Sequence, residues 1–379
     1  MDYNRTLHTL LEHSCPSIKY RIRRELLGEE TDTSVMRNLQ IGITTNGMVK
    51  TALAYQKPSG KFGEVFHSGI DFNLKTQSVR PGAEGIFRFL SEMGLSTLNP
   101  RFQMAIESLQ NDDWFGEKKG VCWVYYPEHN MYGLDFVRSV TLAQLATEEE
   151  YDFSEFVSHA IQVLAELTEF ESYEDLTSTF DDRGRIRLVF RDGVRFPEIY
   201  HLKLLAYTSS WRTKEQRKIV LKGVQRIVDL SPIRSVKVLH KRMCLGPATI
   251  YPSNLRIDLR QLTDGGWNRN SWSDWFHTFD LFARMGVVEH IPELRRQAVQ
   301  LMEILDEGDG FFNLKLTEKH FRRWTIYTGA ALEDRWTDES RKWDLTFRSM
   351  LILYHSGLLD AQSVNTVGTS CATTKTGGT

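Results

Sequence analysis

A short aromatic segment holds the residues whose types and spacing are best suited to chemistry. Residues 272–280 read Trp-Ser-Asp-Trp-Phe-His-Thr-Phe-Asp, which places Asp274 three positions before His277. On a helix such residues are neighbours, and an aspartate beside an imidazole can orient the ring and raise its basicity. The pair therefore suits proton transfer or metal ligation. The alternative is structural: Asp274 caps the helix start, and His277 fills a core position with one hydrogen bond.

Three further pairs have helical spacing on other predicted inner helices: Asp135 with Arg138, Glu198 with His201, and Asp344 with Arg348. An ion pair or a helix cap explains each of them as well as a functional role does. The candidate catalytic residues are His277, Asp274, His201 and Glu198. The candidate ligand contacts are Asp135, Asp344 and the rings of Trp272, Trp275 and Trp343, whose faces can stabilise cationic character.

Other catalytic and binding signatures are missing from the sequence. It contains no P-loop, dinucleotide fingerprint, His-Glu-x-x-His zinc motif or Gly-x-Ser-x-Gly elbow. The four cysteines, Cys15, Cys122, Cys244 and Cys371, are far apart and form no Cys-x-x-Cys pair. We therefore expect free thiols, no metal and no cofactor.

Five segments repeat one design, an apolar helix followed by a second, amphipathic helix. The first helices show apolar residues at helical spacing near residues 86–93, 136–143, 202–205, 275–282 and 343–354. Second helices are predicted to start at Asn99 before Pro100, at an Asp152–Glu155 capping box, at a Thr213–Gln216 box and at Pro292. Gly94, Gly286 and Gly357 each precede an apolar residue, as expected of a helix C-terminal cap. Equivalent ends in equivalent pairs indicate a repeat.

A second recurring element is a short polar, glycine-containing turn that leads into an aromatic residue. It occurs at residues 56–62, 112–116, 264–267 and 309–312. The polar residue can hold a helix terminus, glycine permits a tight reversal, and the ring packs between neighbouring helix pairs. Trp267 is therefore expected to be buried and structural.

Together these features resemble the terpene cyclase and prenyltransferase superfamily with its QW-type repeats. Residues 56–62 are similar to the Gln-x-x-x-Gly-x-Trp repeat, with Phe62 in place of Trp, and residues 264–267 resemble the Asp-Gly-Gly-Trp form. The resemblance covers residues 45–360, with irregular spacing and no such turn in the third pair. It implies an all-α fold, an α/α-toroid (α/α-barrel) with first helices inside, second helices outside and a cavity at the centre.

The catalytic motifs of that superfamily are absent. The class II Asp-x-Asp-Asp motif lacks its first aspartate at residues 180–182, and Asp112-Asp113 are followed by Trp-Phe-Gly instead of a class I metal motif. No cysteine has the context of the zinc site in protein prenyltransferases. The resemblance therefore supports the fold and none of the superfamily's known reactions.

The two ends of the chain differ from the repeats. Residues 5–27 look like one HEAT-type helical repeat, which predicts an N-terminal helical cap over residues 1–44 and a toroid domain over residues 45–360. Residues 361–379 are rich in Thr, Ser and Gly and predict a disordered tail. The polar segment 171–197 predicts a long connection with a short strand at residues 186–190.

Charge and hydropathy exclude several classes of protein. Lysine and arginine number 47 against 49 acidic residues, a formal net charge of −2, and basic clusters such as residues 21–24 are interpreted as solvated faces. We therefore expect no nucleic-acid partner. No apolar run is long enough for a signal peptide or a transmembrane helix, which favours a cytoplasmic location. The oligomeric state stays open.

Three functions remain in view, and whether the chain is catalytic stays open. The first is an enzyme or specific binder with an aromatic-lined cavity for an apolar, isoprenoid-like ligand. The second is a non-catalytic helical scaffold that binds a protein partner, and the third is a carbohydrate-active α/α-toroid with two carboxylates. A cavity of about 300–1,000 Å³ favours the first over the second, and a polar groove with two opposed carboxylates favours the third.

Overall fold

The computed structural model describes most of the chain. The described residues are 3–66, 81–111, 134–145, 148–182, 184–191, 193–231, 239–242, 249–252, 255, 257–264, 267, 269–314, 332–333 and 337–359. Over these residues the chain is mostly helical, with fourteen α-helices. None of the described helices is long and apolar enough to cross a membrane.

The described α-helices range from four residues in the shortest to 18 in the longest. In order they are α1 (Tyr3–His13), α2 (Pro16–Arg21), α3 (Ser34–Thr45), α4 (Gly47–Ala54), α5 (Ala83–Glu92), α6 (Pro100–Asn111), α7 (Leu134–Ala143), α8 (Ser154–Leu167), α9 (Tyr173–Leu176), α10 (Ile199–Tyr207), α11 (Lys214–Asp229), α12 (Arg269–Met285), α13 (Pro292–Glu307) and α14 (Asp338–His355). A π-helix, Ile22–Leu26, continues α2, and a 3₁₀ turn, Val288–His290, precedes α13.

Local sequence chemistry sets several helix ends. The side-chain oxygen of Asn99 accepts hydrogen bonds from the backbone N–H groups of Arg101 and Phe102 at the start of α6. Thr213 accepts from the Gln216 N–H in the same way at the start of α11. Both predicted N-caps are confirmed, but the Thr213–Gln216 box is only half formed, because the Gln216 side chain meets the Thr213 hydroxyl at 3.3 Å and not its backbone N–H.

The three predicted glycine ends are also confirmed. Gly94, Gly286 and Gly357 have φ angles of 77°, 71° and 69° after α5, α12 and α14. An L-residue with a side chain rarely adopts this left-handed conformation, so glycine ends these helices at little steric cost.

The predicted capping box at the start of α8 is wrong. The helix begins at Ser154, with Phe153 at the N-cap position and no side-chain cap there. Asp152 lies one position too early for the box and accepts instead from the Ser154 N–H at 2.8 Å. An aspartate two residues before the helix can hold the turn through this shorter bond.

The first helices of the pairs are neighbours of one another. The π-helix contacts α14, α14 contacts α12, α12 contacts α10, α10 contacts α7, and α7 contacts α5. The second helices α6, α8 and α13 contact first helices, with α6 on α7, α8 on α10 and α13 on α14, and α11 contacts the second helix α8. Each of α6, α8 and α13 therefore contacts the first helix of the pair that follows it in sequence.

A small sheet accompanies the helices. Strands β1 (Thr177–Asp182), β2 (Arg185–Phe190), β3 (Leu239–Arg242) and β4 (Thr249–Pro252) lie side by side in that order. Strands β1 and β2 form an antiparallel hairpin, β2 meets β3 in parallel, and β3 pairs antiparallel with β4. The predicted strand at residues 186–190 is confirmed, but it belongs to a four-stranded sheet that an all-α fold class does not include.

The polar residue of the first turn holds the start of a helix, as predicted. Gln56 donates to the backbone carbonyl of Arg101 at 2.5 Å and accepts from the Arg101 side chain at 3.0 Å. Phe62 at the end of the turn is fully buried, and its ring meets Phe87 edge-on at 5.3 Å. The turn therefore joins α4, α5 and α6.

Two other turns behave similarly. Trp267 is 8% exposed, donates from Nε1 to the carbonyl of Gln261 at 2.7 Å and lies 5.0 Å from the ring of Trp272, so its predicted burial is confirmed. The Phe312 N–H donates to the Thr346 hydroxyl at 2.9 Å, which joins the last turn to α14. The turn at residues 112–116 and the predicted tail lie outside the described residues.

The N-terminal segment packs into the rest of the protein. The Thr6 hydroxyl donates to the carbonyl of Gly310 at 3.3 Å, and the Cys15 N–H donates to the Glu333 carboxylate at 3.0 Å. These contacts join the predicted N-terminal cap to segments more than 300 residues away in sequence.

Candidate functional site

His277 lies on α12 and borders a cavity of about 40 Å³. Five helices, α2, α5, α10, α12 and α14, supply its lining. The lining residues are Arg21, Glu92, Tyr207, Phe276, His277, Asp280, Arg348, Leu351 and Ile352. More than half of them are polar or charged, so this is a polar cavity with an apolar wall.

The spacing of α12 explains why its polar residues meet. His277, Asp280 and Arg284 stand three and then four positions apart, which puts them on one face of the helix. The Arg284 guanidinium donates from Nε to Asp280 at 2.9 Å and from Nη2 to Glu25 of the π-helix at 3.0 Å. This face therefore joins α12 to the N-terminal segment.

The N-terminal segment contributes an ion pair that sequence analysis missed. Residues 21–24 were interpreted as a solvated basic face, but Arg21 is only 7% exposed. Its guanidinium forms a two-point contact with Glu25, at 2.6 and 3.2 Å. The π-helix turns the Arg21–Glu25 pair towards Arg284 instead of towards water. π-Helices are rare overall, and those that occur are frequently at functional sites. No local sequence pattern predicted this one.

Helix α5 brings a charged stripe to the same region. Glu84, Arg88 and Glu92 recur every four positions, and Glu84 and Arg88 are each 3% exposed. Arg88 donates to Glu92 at 2.8 Å, while Tyr200 of α10 donates from its hydroxyl to Glu84 at 2.7 Å. The regular spacing of these charges inside an apolar helix was the available sequence signal.

Asp344, a predicted ligand contact, holds another cavity residue in place. It is fully buried, and its two oxygens accept from Arg348 Nε and from the Leu332 N–H, each at 2.8 Å. Burial raises the pKa of Asp344, although Arg348 opposes that shift. Asp344 does not border the cavity itself but positions Arg348, which does.

Burial and neighbouring charges change the protonation of the cavity region. Burial lowers the pKa of His277 well below its usual value, and the positive charges of Arg88 and Lys203 add to the effect. Burial, followed by Arg88, lowers the pKa of Lys203 to about 7. Burial also raises the pKa of Tyr207 to about 12. At neutral pH the cavity therefore presents a neutral imidazole and a protonated phenol.

Glu198 and His201 form a helix cap. The Glu198 N–H donates to His201 Nδ1 at 2.9 Å, and the Glu198 side chain accepts from the His201 backbone N–H in return. Both residues are buried at the start of α10, and neither borders the cavity. The structure thus favours the capping interpretation of this pair over the catalytic one.

His201 belongs to a buried ring cluster with His159 and Phe136. The rings of His159 and His201 lie 5.4 Å apart, and Phe136 lies 5.1 Å from His201. Burial, followed by the charge of Arg195, lowers the pKa of His159 to about 4. Between about pH 4 and pH 6.5, His159 is therefore neutral in the folded protein but protonated in the unfolded chain.

Acid should consequently destabilise the protein through His159. Below pH 6.5 the unfolded state protonates His159, whereas the folded state does so only near pH 4. The free energy of unfolding therefore decreases as the pH drops through this window. The His159→Phe variant removes that loss, which we expect to amount to about 2 kcal/mol at pH 5. Urea unfolding at pH 7.5 and pH 5 measures it. Equal pH dependence in parent and variant would contradict the prediction.

The three predicted ligand-binding tryptophans are packing residues of the aromatic core. Trp272, Trp275 and Trp343 are 2%, 4% and 9% exposed, and none borders the cavity. Trp275 stacks on Phe279 at 4.7 Å, and Trp343 meets Phe311 edge-on at 5.6 Å. Their high burial leaves little ring surface for a ligand.

Two predicted aspartates are half-buried and do not border the cavity. Asp274 lies in α12 one turn before His277, and Asp135 lies in the first turn of α7. An acidic residue in a first turn is favourable beside the positive end of the helix dipole, which suffices to explain Asp135.

The part of the chain that the structure describes contains no group of three or more His, Cys, Asp or Glu side chains arranged to hold a metal ion. Comparison of the chain with family models, with characterised proteins and with solved structures found no match. The chemistry of the cavity therefore carries the functional argument.

Proposed function

We propose that the chain is an α/α-toroid that binds a small polar molecule at its centre, as a specific binder or as an enzyme that acts on it. The series of neighbouring first helices supports a ring. Its two ends also meet, since Arg21 of α2 donates to the backbone carbonyl of Glu92 of α5 at 3.2 Å. The order of inner and outer helices agrees with the resemblance to the terpene cyclase and prenyltransferase superfamily.

The observation that carries the functional proposal is the convergence of charged side chains from separate helices on one cavity. Buried ion pairs contribute little net stability, and well-packed apolar residues often serve a fold equally well. The linked pairs of Arg21 with Glu25, Arg284 with Asp280, and Arg348 with Asp344 are therefore poorly explained by stability alone. One member of each pair, Arg21, Asp280 or Arg348, lines the cavity, and a role in recognising a polar ligand explains this convergence.

The lining favours a polar ligand over an apolar, isoprenoid-like one. Glu92 and Asp280 bring carboxylates from two different helices, whereas a hydrocarbon chain needs apolar walls on all sides. The cavity of about 40 Å³ is also much smaller than the usual 300–1,000 Å³ of ligand pockets. It takes about three or four water-sized groups, at about 10–15 Å³ each.

Retention of a ligand by the purified protein tests this function. Native mass spectrometry and untargeted analysis of the released small molecules should find one polar compound bound by the parent chain. The Leu351→Phe variant puts a larger side chain at a buried cavity position and should lose that compound. The fold should persist, because overpacking typically costs only about 1–3 kcal/mol.

The same substitution at an exposed site provides the control. Leu98 is 77% exposed, so Leu98→Phe should retain the compound at the level of the parent. A parent protein that releases nothing, or a folded Leu351→Phe variant that retains the compound, would overturn the proposal.

A further inference from the structure

Three cavity side chains have unmet hydrogen-bonding capacity. Glu92 Oε2, Asp280 Oδ1 and His277 Nε2 are buried, and none has a hydrogen-bond partner among the described residues. A carboxylate oxygen can only accept a hydrogen bond, while a neutral imidazole nitrogen accepts or donates according to its tautomer. A ligand that donates hydrogen bonds would therefore satisfy the buried acceptor atoms of this cavity.

The same cavity offers donors at its edge. Arg21 and Arg348 both line it, and guanidinium groups only donate. Arg348 Nη2 lies 3.8 Å from Glu92 Oε2, too far for a direct hydrogen bond. A hydroxyl group fits between such a donor and such an acceptor, because it can accept from one and donate to the other.

The charges around the cavity select a neutral molecule. Its lining holds two arginines, Arg21 and Arg348, and two carboxylates, Glu92 and Asp280. An anion would approach carboxylates whose oxygens already lack partners. A cation would approach His277, where positive neighbours already disfavour protonation of the ring. A neutral group avoids both repulsions.

The remaining lining matches the carbon skeleton of such a molecule. Phe276, Leu351 and Ile352 form an apolar wall beside the charged groups. A compound with hydroxyl groups on adjacent carbons presents C–H groups to one side and hydroxyls to the other, so it can use both kinds of surface.

We infer that the ligand of this cavity is a small neutral polyhydroxyl compound whose adjacent hydroxyl groups bridge Glu92, Asp280 and Arg348. The inference rests on the proposed function and specifies its ligand class. The cavity takes about three or four water-sized groups, so it accommodates a diol, either free or as one end of a longer polyol.

Binding of three small probes to the full-length chain tests the class. Ethane-1,2-diol, acetate and methylammonium are all small enough for the cavity and differ in charge. Ligand-observed NMR detects weak binding of each. We expect a saturable signal for the diol alone, which Leu351→Phe abolishes. Asp280→Asn should weaken diol binding about tenfold, because a neutral amide replaces a charged acceptor.

A second variant provides an independent test of diol binding if Asp280→Asn does not fold. Tyr207→Phe removes one hydroxyl from the lining and keeps the ring, so it should weaken diol binding by severalfold in a folded protein. Binding of acetate or methylammonium that Leu351→Phe abolishes, without diol binding, would overturn the inference and leave the proposed function in place. If none of the three probes shows binding that Leu351→Phe abolishes, the inference is also overturned. In that case, ligand retention by the purified parent protein still tests the proposed function separately.

Discussion

Replacing Glu25 by alanine should lower the free energy of unfolding by about 3–5 kcal/mol, since it removes one partner of buried ion pairs. Glu25 accepts from Arg21 at 2.6 Å and from Arg284 at 3.0 Å, and its side chain is 12% exposed. Burial opposes its charged form, but the two arginines outweigh burial and hold the pKa well below its usual value. Denaturant unfolding at neutral pH measures the loss.

Two control variants test whether the loss of stability depends on the charge of Glu25 and on its buried location. Glu25→Gln keeps the size of the side chain and should lose less than Glu25→Ala. Glu12 is 76% exposed beside His13, so Glu12→Ala should change stability by no more than about 0.5 kcal/mol. The Glu25→Ala variant and the parent should also converge in acid, because the unfolded parent binds a proton at Glu25 as the pH falls below 4.5, while the folded parent does so only at much lower pH. A variant as stable as the parent at neutral pH would contradict the expected cost of leaving Arg21 and Arg284 without this buried partner.

Much of the helical framework was predictable because its signals are local. The Asn99 cap and the Gly94 end depend on contacts within a few residues, and such contacts require no knowledge of the rest of the fold. The sheet was less accessible. Its parallel contact joins Val189 to Leu239, and pairing between segments fifty residues apart in sequence leaves no local pattern.

The site was predictable only where a single helix carries it. The segment around His277 stands out because aromatic, acidic and imidazole groups are close in sequence, and His277 borders the cavity. The pair of Arg284 with Glu25 spans 259 residues, and Arg21 and Glu25 alone have the spacing of any solvated helical ion pair. Nothing in their local sequence distinguishes burial from exposure.

Spacing alone also left Glu198 and His201 undecided. Three positions between a carboxylate and an imidazole suit both a catalytic pair and a capping box, because both need side chains on adjacent turns. The backbone hydrogen bonds of the structure distinguish the two, since the Glu198 N–H occupies His201 Nδ1. Sequence patterns of this kind predict proximity and leave the partner of each atom undetermined.

Replacing Trp275 by alanine should lower the free energy of unfolding by about 3–5 kcal/mol, the usual cost of removing a large aromatic residue from a core. Its ring stacks on Phe279 at 4.7 Å and is 4% exposed. Its Nε1 donates to Gln297 at 2.9 Å, and Gln297 in turn donates to the carbonyl groups of Asp258 and Arg260. The tryptophan therefore supports both the packing of α12 and the position of a neighbouring loop.

The Trp275→Phe variant separates the loss of aromatic packing from the loss of the hydrogen bond to Gln297. Phenylalanine keeps an aromatic ring against Phe279 but leaves the buried oxygen of Gln297 without its donor, which we expect to cost about 1–3 kcal/mol. Denaturant unfolding of both variants gives the two values, and ligand retention measured on the same samples tests the alternative role of Trp275 in binding. A Trp275→Ala variant that unfolds like the parent but releases the cavity ligand would contradict the packing role and restore the ligand contact predicted from the sequence.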